Sequence, residues 1–464
     1  MKSKVGEKIM EKALQEVSGR SRLLLLGLSL GYFMVLLDMT VVSVALPAIH
    51  EDLGGGLIDL QWVVNAYTIV FAGCLLSMGV FADRLGAKRV YIGGLILFFA
   101  ASAASAIVST TGALIALRSI LGIGGAALLP ASLTLLSHSY PVPGERAKAL
   151  GIWTAVTGAA MAAGPVVGGI LVDSFGWRSI FLLNVPIAAI SLLLTCMQAE
   201  ETPRSAQKSF DAGGQITALA AIAALSFSLM EGQDYGWDSP VILGTVGLAA
   251  LCIILFVVIE AKGQAPLFPL SLFKNSTVST GLIAGMVINV GLSGVLFAWP
   301  LYFQQSKGLS AHAAGLSLLP MMLPLAFNPI LTGRIVSRIG ARKPMAAGFG
   351  LGAAGTLIPA WTHSGTSYAW TFIGLLLIGC GVSLVIPSLM AAVMASVARE
   401  QTGAVSGAIN ASRQLGSVLG VALVGAVLNG SQSLLSGMQV SFILIAILLL
   451  GGSVLTLAVF GKRR

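Results

Sequence analysis

One carboxylate stands where a carboxylate is costly. Asp38 lies in Leu36-Leu37-Asp38-Met39-Thr40-Val41-Val42-Ser43, inside a long apolar run, and of 18 acidic residues it alone is well inside such a run. A charged side chain in hydrocarbon costs about 2.5–3.5 kcal/mol on insertion scales. Desolvation favours the neutral acid, so a carboxyl in a partly dry cavity can take up and release a proton. A cationic substrate could compete for the same group. A structural ion pair to a neighbouring helix is the competing reading.

Arg118 sits early in another apolar run, Leu117-Arg118-Ser119-Ile120-Leu121-Gly122. At about 1.5 Å of rise per residue it reaches a depth similar to that of Asp38. A guanidinium there would favour the ionised carboxylate, so separating the two could drive proton release. Hydrogen bonding of Arg118 to backbone carbonyls is the alternative. Arg413, followed by Gln414, lies in a third run, and no acid in that half can meet it within the membrane. Anion binding and a structural role both remain open for it.

Around these charges stand residues suited to cavity walls and to motion. Tyr32, Asn65, Trp153, Asn289 and Phe297 fall within apolar runs and, with Arg413 and Gln414, are candidates to line a substrate cavity. Gly79, Asp83, Arg84, Gly86, Lys88 and Arg89 occupy a short loop between two runs. Gly86 permits a tight turn, and Asp83 can cap a helix or pair across the loop. Such a loop can latch one conformational state; an ordinary basic loop is the plainer reading. Gly164, Pro165, Gly168 and Gly169 combine a backbone break with close helix approach. That pattern suits a pivot. Glu231, Asp234 and Asp238 cluster at the outer end of a run and read as a solvated loop.

These residues need helices to hold them in a bilayer. The 464 residues are 56% hydrophobic and 10% charged, with a mean hydropathy of +0.92. A chain this apolar must use the bilayer as solvent. Fourteen apolar runs are long enough to span it, beginning near residues 22, 61, 88, 112, 146, 178, 213, 241, 278, 313, 343, 367, 402 and 437. No strand alternation appears, and helices satisfy their own backbone in lipid. Nearly all of the 27 basic residues fall in the two tails and the loops on the same side. Only Arg178 and Lys307 fall opposite, which predicts both termini in the cytoplasm. A net charge of +9 scattered in this way argues against nucleic acid as a partner.

The chain also repeats itself. Gly122-x-Gly124 followed by Pro130 matches Gly379-x-Gly381 followed by Pro387, and the loop from Gly86 matches the loop from Gly340. The fold class expected is an all-α polytopic membrane protein of two six-helix halves, residues 22–198 and 278–464. Residues 1–21 form a cytoplasmic tail, and 199–277 hold linkers and a two-helix insert. Halves repeated about the membrane normal belong to rocking transporters. No P-loop, HExxH or cysteine pair is present, so neither ATP hydrolysis, enzyme chemistry nor a metal site is expected.

These motifs resemble the major facilitator superfamily, and most closely its fourteen-span drug:proton antiporter branch of methylenomycin-resistance and quaternary-ammonium exporters. The segment around Asp38 is similar to that branch's first-span acidic motif, and the residues from Gly79 to Arg89 to the superfamily loop. The residues from Arg118 to Gly124 resemble the fourth-span motif, with Leu121 where Gln is common. Those from Gly164 to Gly169 resemble the antiporter motif, with Ala160 in place of its first Gly. The resemblance implies export of small amphipathic or cationic drugs by alternating access in a cell membrane. It implies proton coupling through Asp38 and Arg118, no cofactor, and a monomer facing only substrate and lipid. A transporter of an endogenous amino acid, peptide or lipid, or a non-transporting receptor or assembly factor, are the alternatives. Sodium or potassium could replace the proton.

Overall fold

The computed structural model describes residues 2–204, 211–263, 270–361, 367–398 and 401–460, with side chains left out for 2–20, 76, 270, 271 and 403. Among the described residues all regular structure is helical. The α-helices are α1 (Lys2–Leu53), α2 (Leu57–Leu85), α3 (Ala87–Ser105), α4 (Thr111–Ser139), α5 (Pro143–Phe175), α6 (Ser179–Gln198), α7 (Ala212–Tyr235) and α8 (Pro240–Lys262). They continue as α9 (Ser276–Leu301), α10 (Ala311–Ser317), α11 (Leu319–Ile339), α12 (Arg342–Ala360), α13 (Tyr368–Met394), α14 (Thr402–Asn429) and α15 (Leu434–Val459).

Thirteen of these helices are long and apolar enough to cross a membrane. The chain is a multi-pass membrane protein. Helix α12 matches the run expected from residue 343 in position and is 19 residues long, but its Gly-rich, Arg342-Lys343 start leaves it below that apolarity. The first candidate span begins at Ser21, in agreement with the run expected from residue 22, although helix α1 extends back to Lys2. One boundary differs from the sequence reading. The run from residue 313 is broken at Leu318 into α10 and α11. Pro320 opens α11, where its missing N–H would have no helical acceptor.

Start signals agree with the boundaries. Thr110, Ser239, Ser310 and Ser367 each accept a backbone N–H from the first turn of the following helix. Gly86 and Gly340 turn the chain between α2 and α3 and between α11 and α12, with φ of 98° and 77°. A side chain is strained there, so glycine is required at both turns.

Glycines also set how closely helices cross. A Cβ on Gly94 would lie 3.0 Å from the Gly124 carbonyl, bringing α3 against α4. A Cβ on Gly348 would lie 2.7 Å from the Gly381 carbonyl, bringing α12 against α13 in the same way. Gly122 closes on the backbone of α2 at Tyr67, and Gly379 closes on α11 at Met321. The sequence repeat is thus also a repeat of helix crossings.

The two ends of the bundle are distinguishable. At one, the Tyr140 hydroxyl donates to the Ser21 carbonyl (2.6 Å), and Arg342 donates to the Leu457 carbonyl. This end carries the start of the first span and the end of the last, and is called the terminal side. At the far side, Trp177 donates to Asp52 (3.0 Å) and Gln304 donates to the Val44 carbonyl (3.0 Å). Helix α8 is the most apolar span and the least buried. Its Leu251, Ile253 and Ile254 face outward, as do Ile447 and Leu450 of α15, which suits contact with lipid.

Helix α7 covers the seam between α2 and α14. Glu231 accepts from Trp62 (3.0 Å), Asp234 accepts from Asn429 (2.9 Å), and Gln215 donates to the Gly73 carbonyl (2.5 Å). Two of the three acids read as a solvated cluster therefore hold α7 to its neighbours.

Candidate functional site

Asp38 is fully buried, and its Oδ2 is paired with Arg118 Nη1 across α1 and α4. The Arg118 Nε donates to the Val63 carbonyl of α2 at 2.9 Å. The same guanidinium lies 4.5 Å above the Tyr67 ring. Asp38 Oδ1 accepts from Asn184 Nδ2 of α6 at 3.0 Å, and that amide also donates to Ser102 of α3. The carboxylate thus has a donor on each oxygen, and the cluster joins five helices.

This arrangement can act as a proton-controlled tie. The ionised carboxylate holds Arg118 and Asn184 by charge-assisted hydrogen bonds. A proton on Asp38 cancels the charge that holds Arg118, which keeps only Val63 and the Tyr67 face. The sequence reading placed Asp38 and Arg118 at similar depth, and the structure brings them together. It missed Asn184 and Ser102. Asn184 carried a usable signal, because it is an amide in the middle of the apolar run Phe181-Leu182-Leu183-Asn184-Val185.

A cavity of about 190 Å³ lies between α1, α2, α5, α9 and α14. Five of the seven expected wall residues line it: Tyr32, Asn289, Phe297, Arg413 and Gln414. The other two lie behind the wall. Trp153 stacks on Tyr32, with centroids 4.9 Å apart and planes 7° from parallel. Asn65 is buried and donates to the Val418 carbonyl (3.3 Å) and to the Met230 sulfur (3.3 Å), tying α2 to α14 and α7. Asp38 is not on the wall either, although its neighbours Met39 and Thr40 are. A cation in this cavity would not touch the carboxylate.

The residues expected to form a latch hold the α2–α3 turn to the end of α6. The Lys88 amide donates to Glu201 (3.0 Å), Lys88 Nζ donates to the Ala199 carbonyl (2.7 Å), and Arg89 lies 3.7 Å from Glu201. Gly86 faces the same Glu201 carboxylate, and Gly79 rests on Pro130 of α4. Asp83 and Arg84 end α2 on this terminal side. Glu201 was not anticipated, since it sits in a linker without a recognisable motif.

Helix α5 runs unbroken through Pro165. Gly164 and Gly168 meet Thr40, Val41 and Val44 of α1. Gly169 and Pro165 meet α10: a Cβ on Gly169 would lie 2.6 Å from His312 Cα, and Gly315 abuts the Pro165 carbonyl. Asp173 extends this contact by accepting from the Ala311 and His312 amides at 3.1 and 2.9 Å.

Residues 28–421 match the Major Facilitator Superfamily. The chain belongs to that superfamily. Its relatives include proteins named for antibiotic resistance, multidrug resistance and drug efflux. It is 34% identical over 427 residues to the methylenomycin A resistance protein of Streptomyces coelicolor, covering 92% of this chain and 90% of that protein. It is 34% identical to the protein of the same name in Bacillus subtilis, covering 90% of each chain. It is 35% identical to the multidrug resistance protein Stp of Mycobacterium tuberculosis, covering 88% of this chain and 76% of that one. These matches place it in the drug:proton antiporter branch. The superfamily fold is seen in the solved peptide transporter PepTSo, with a TM-score of 0.71 at 12% identity over 95% of this chain and 97% of that one. It is seen also in the nucleoside transporter NupG, with a TM-score of 0.65 at 15% identity over 95% and 100%. The chain is a transporter and not an enzyme.

Proposed function

We propose that this transporter exports small amphipathic antibiotics or drugs by alternating access, in exchange for protons entering through the Asp38–Arg118 site. The observation that carries the coupling is the buried pair itself: a carboxylate and a guanidinium, cross-braced by Asn184, beside a cavity they do not line. The resistance and efflux roles named for its relatives support the direction and the substrate class.

In this reading residues 22–198 and 278–464 are the rocking halves, and 199–277 supply linkers and the α7–α8 insert. Helix α12 counts as a span, giving fourteen with both termini in the cytoplasm. The bias of basic residues supports that orientation. The terminal side is then cytoplasmic. Substrate enters the cavity from that side while Asp38 is ionised and tied to Arg118. The halves rock to open the far side and substrate leaves. A proton from outside then reaches Asp38 and is released inward after the return. Each inward proton charge contributes about 2.3 kcal/mol per 100 mV of membrane potential. The protein works as a monomer with no cofactor, and its partners are substrate and lipid.

Asp38→Asn tests this reading in proteoliposomes. The variant is expected to keep substrate exchange down a gradient but to lose substrate-driven proton movement at least tenfold. Retained exchange shows that the variant is folded. Wild-type proton coupling in D38N would sink the reading.

A further inference from the structure

The cavity carries one ionisable cation and no carboxylate. Among its lining residues Arg413 alone bears a charge. Its Nη1 donates to Asn410 Oδ1 at 3.3 Å, and its Nε is buried without a hydrogen-bond partner. None of the ion pairs among the described residues includes it. A guanidinium stays charged in proteins, and an uncompensated one within a membrane is expensive. Arg118 shows how this chain normally meets that cost, with a carboxylate, a carbonyl and an aromatic face. The guanidinium of Arg413 has only a neutral amide as hydrogen-bond partner among the described residues, and an open cavity in front.

The remaining wall divides in a way that completes a site. Leu36, Met39, Leu292, Leu296 and Phe297 supply apolar surface, while Asn289 and Gln414 supply amides. The carboxylate that could attract a cation is buried, with a donor on each oxygen. We propose that the transported substrate is an amphipathic organic anion, with its carboxylate or equivalent acid group on Arg413 and its apolar body between α1 and α9. This rests on the exporter reading and narrows its substrate class.

The charge of the substrate has a further consequence. A cation leaving as one proton enters moves no net charge. An anion leaving as one proton enters moves two charges in the same electrical direction. The membrane potential then drives both halves of the exchange, at about 2.3 kcal/mol per charge per 100 mV.

The experiment uses the full chain in lipid nanodiscs and in proteoliposomes, with two probes of one shape, 1-naphthoate and 1-naphthylmethylammonium. Wild type is expected to bind naphthoate at least tenfold more tightly than the ammonium compound. Arg413→Gln should abolish that preference, and Arg413→Lys should keep most of it. The Lys variant shows that charge, not folding, is what R413Q lost. In proteoliposomes a negative interior potential should accelerate naphthoate export. Equal or tighter binding of the ammonium probe, or an unchanged preference in R413Q, overturns the proposal, as does failure of naphthoate to bind folded wild type. Ammonium export coupled to protons would sink the anion site and leave the antiporter standing. Naphthoate binding without proton movement would do the reverse.

Discussion

Asn184 completes the charge pair, because it occupies the carboxylate oxygen that Arg118 leaves open. A hydrogen bond to a charged group contributes about 1.5–3 kcal/mol. Asn184→Leu removes both its bonds, to Asp38 and to Ser102, without opening a large void. It is expected to lower unfolding stability in mixed micelles by that amount, and by clearly less in an Asp38→Asn background. A double-mutant cycle reads the difference. Additive losses, agreeing to about 0.5 kcal/mol, would mean that Asn184 acts through Ser102 alone. At this scale the sequence was half legible. Asp38, Arg118 and Arg413 announced themselves because charge in an apolar run is expensive whatever the fold. Their partners did not. Val63 contributes a carbonyl, which every residue has, and Glu201 sits among other linker charges.

At the scale of helices, α5 packs against both α1 and α10. Its glycine face could be read as a close-approach motif from spacing alone, but the two helices it approaches could not. They are α1 on one face and α10 on the other, and only tertiary packing selects them. The break that separates α10 from α11 was hidden for a related reason: the apolar run continues across Leu318, and composition does not register a one-residue interruption of the helix. Asp173 caps α10 from α5 with two amide bonds, so it ties these two helices at the far side, where the proposed halves meet. Losing charge-assisted bonds of this kind costs about 1.5–3 kcal/mol, or about 10- to 100-fold in a two-state population. Asp173→Ala should therefore open the far side more often. With the four native cysteines replaced and a reporter at Ser43→Cys on the cavity wall, a membrane-impermeant maleimide added at the far side should label D173A at least tenfold faster. An unchanged rate would remove Asp173 from the gate and leave the closure to Gly169 and Gly315.

Across the whole molecule the glycines act as a ruler between the halves. On the far side Gly169 and Gly315 press α5 onto α10 with no room for a methyl group. Further along α5, where it faces α11, a Cβ on Gly158 would lie 3.8 Å from the Ala326 carbonyl, an ordinary contact. Closer to the terminal side, Gly151 of α5 and Gly333 of α11 have nothing within 4 Å. The faces diverge, and Thr154 and Ile330, which continue them, are exposed. The seam between α2 and α14 is different, because α7 braces it with Glu231 and Asp234. In the proposed alternating access, the splayed ends of α5 and α11 are the ones to come together as the far side parts. Helices antiparallel about the Gly158–Ala326 contact would then set Thr154 opposite Ile330. A Thr154→Cys, Ile330→Cys pair should be bridged slowly by a short bis-maleimide in this conformation, and several-fold faster when Asp173→Ala is added. The bridged protein should hold the terminal side shut, admit substrate only from the far side, and lose transport. Bridged protein that still transports at the wild-type rate would mean that these ends never need to separate, and that the halves move about some other seam.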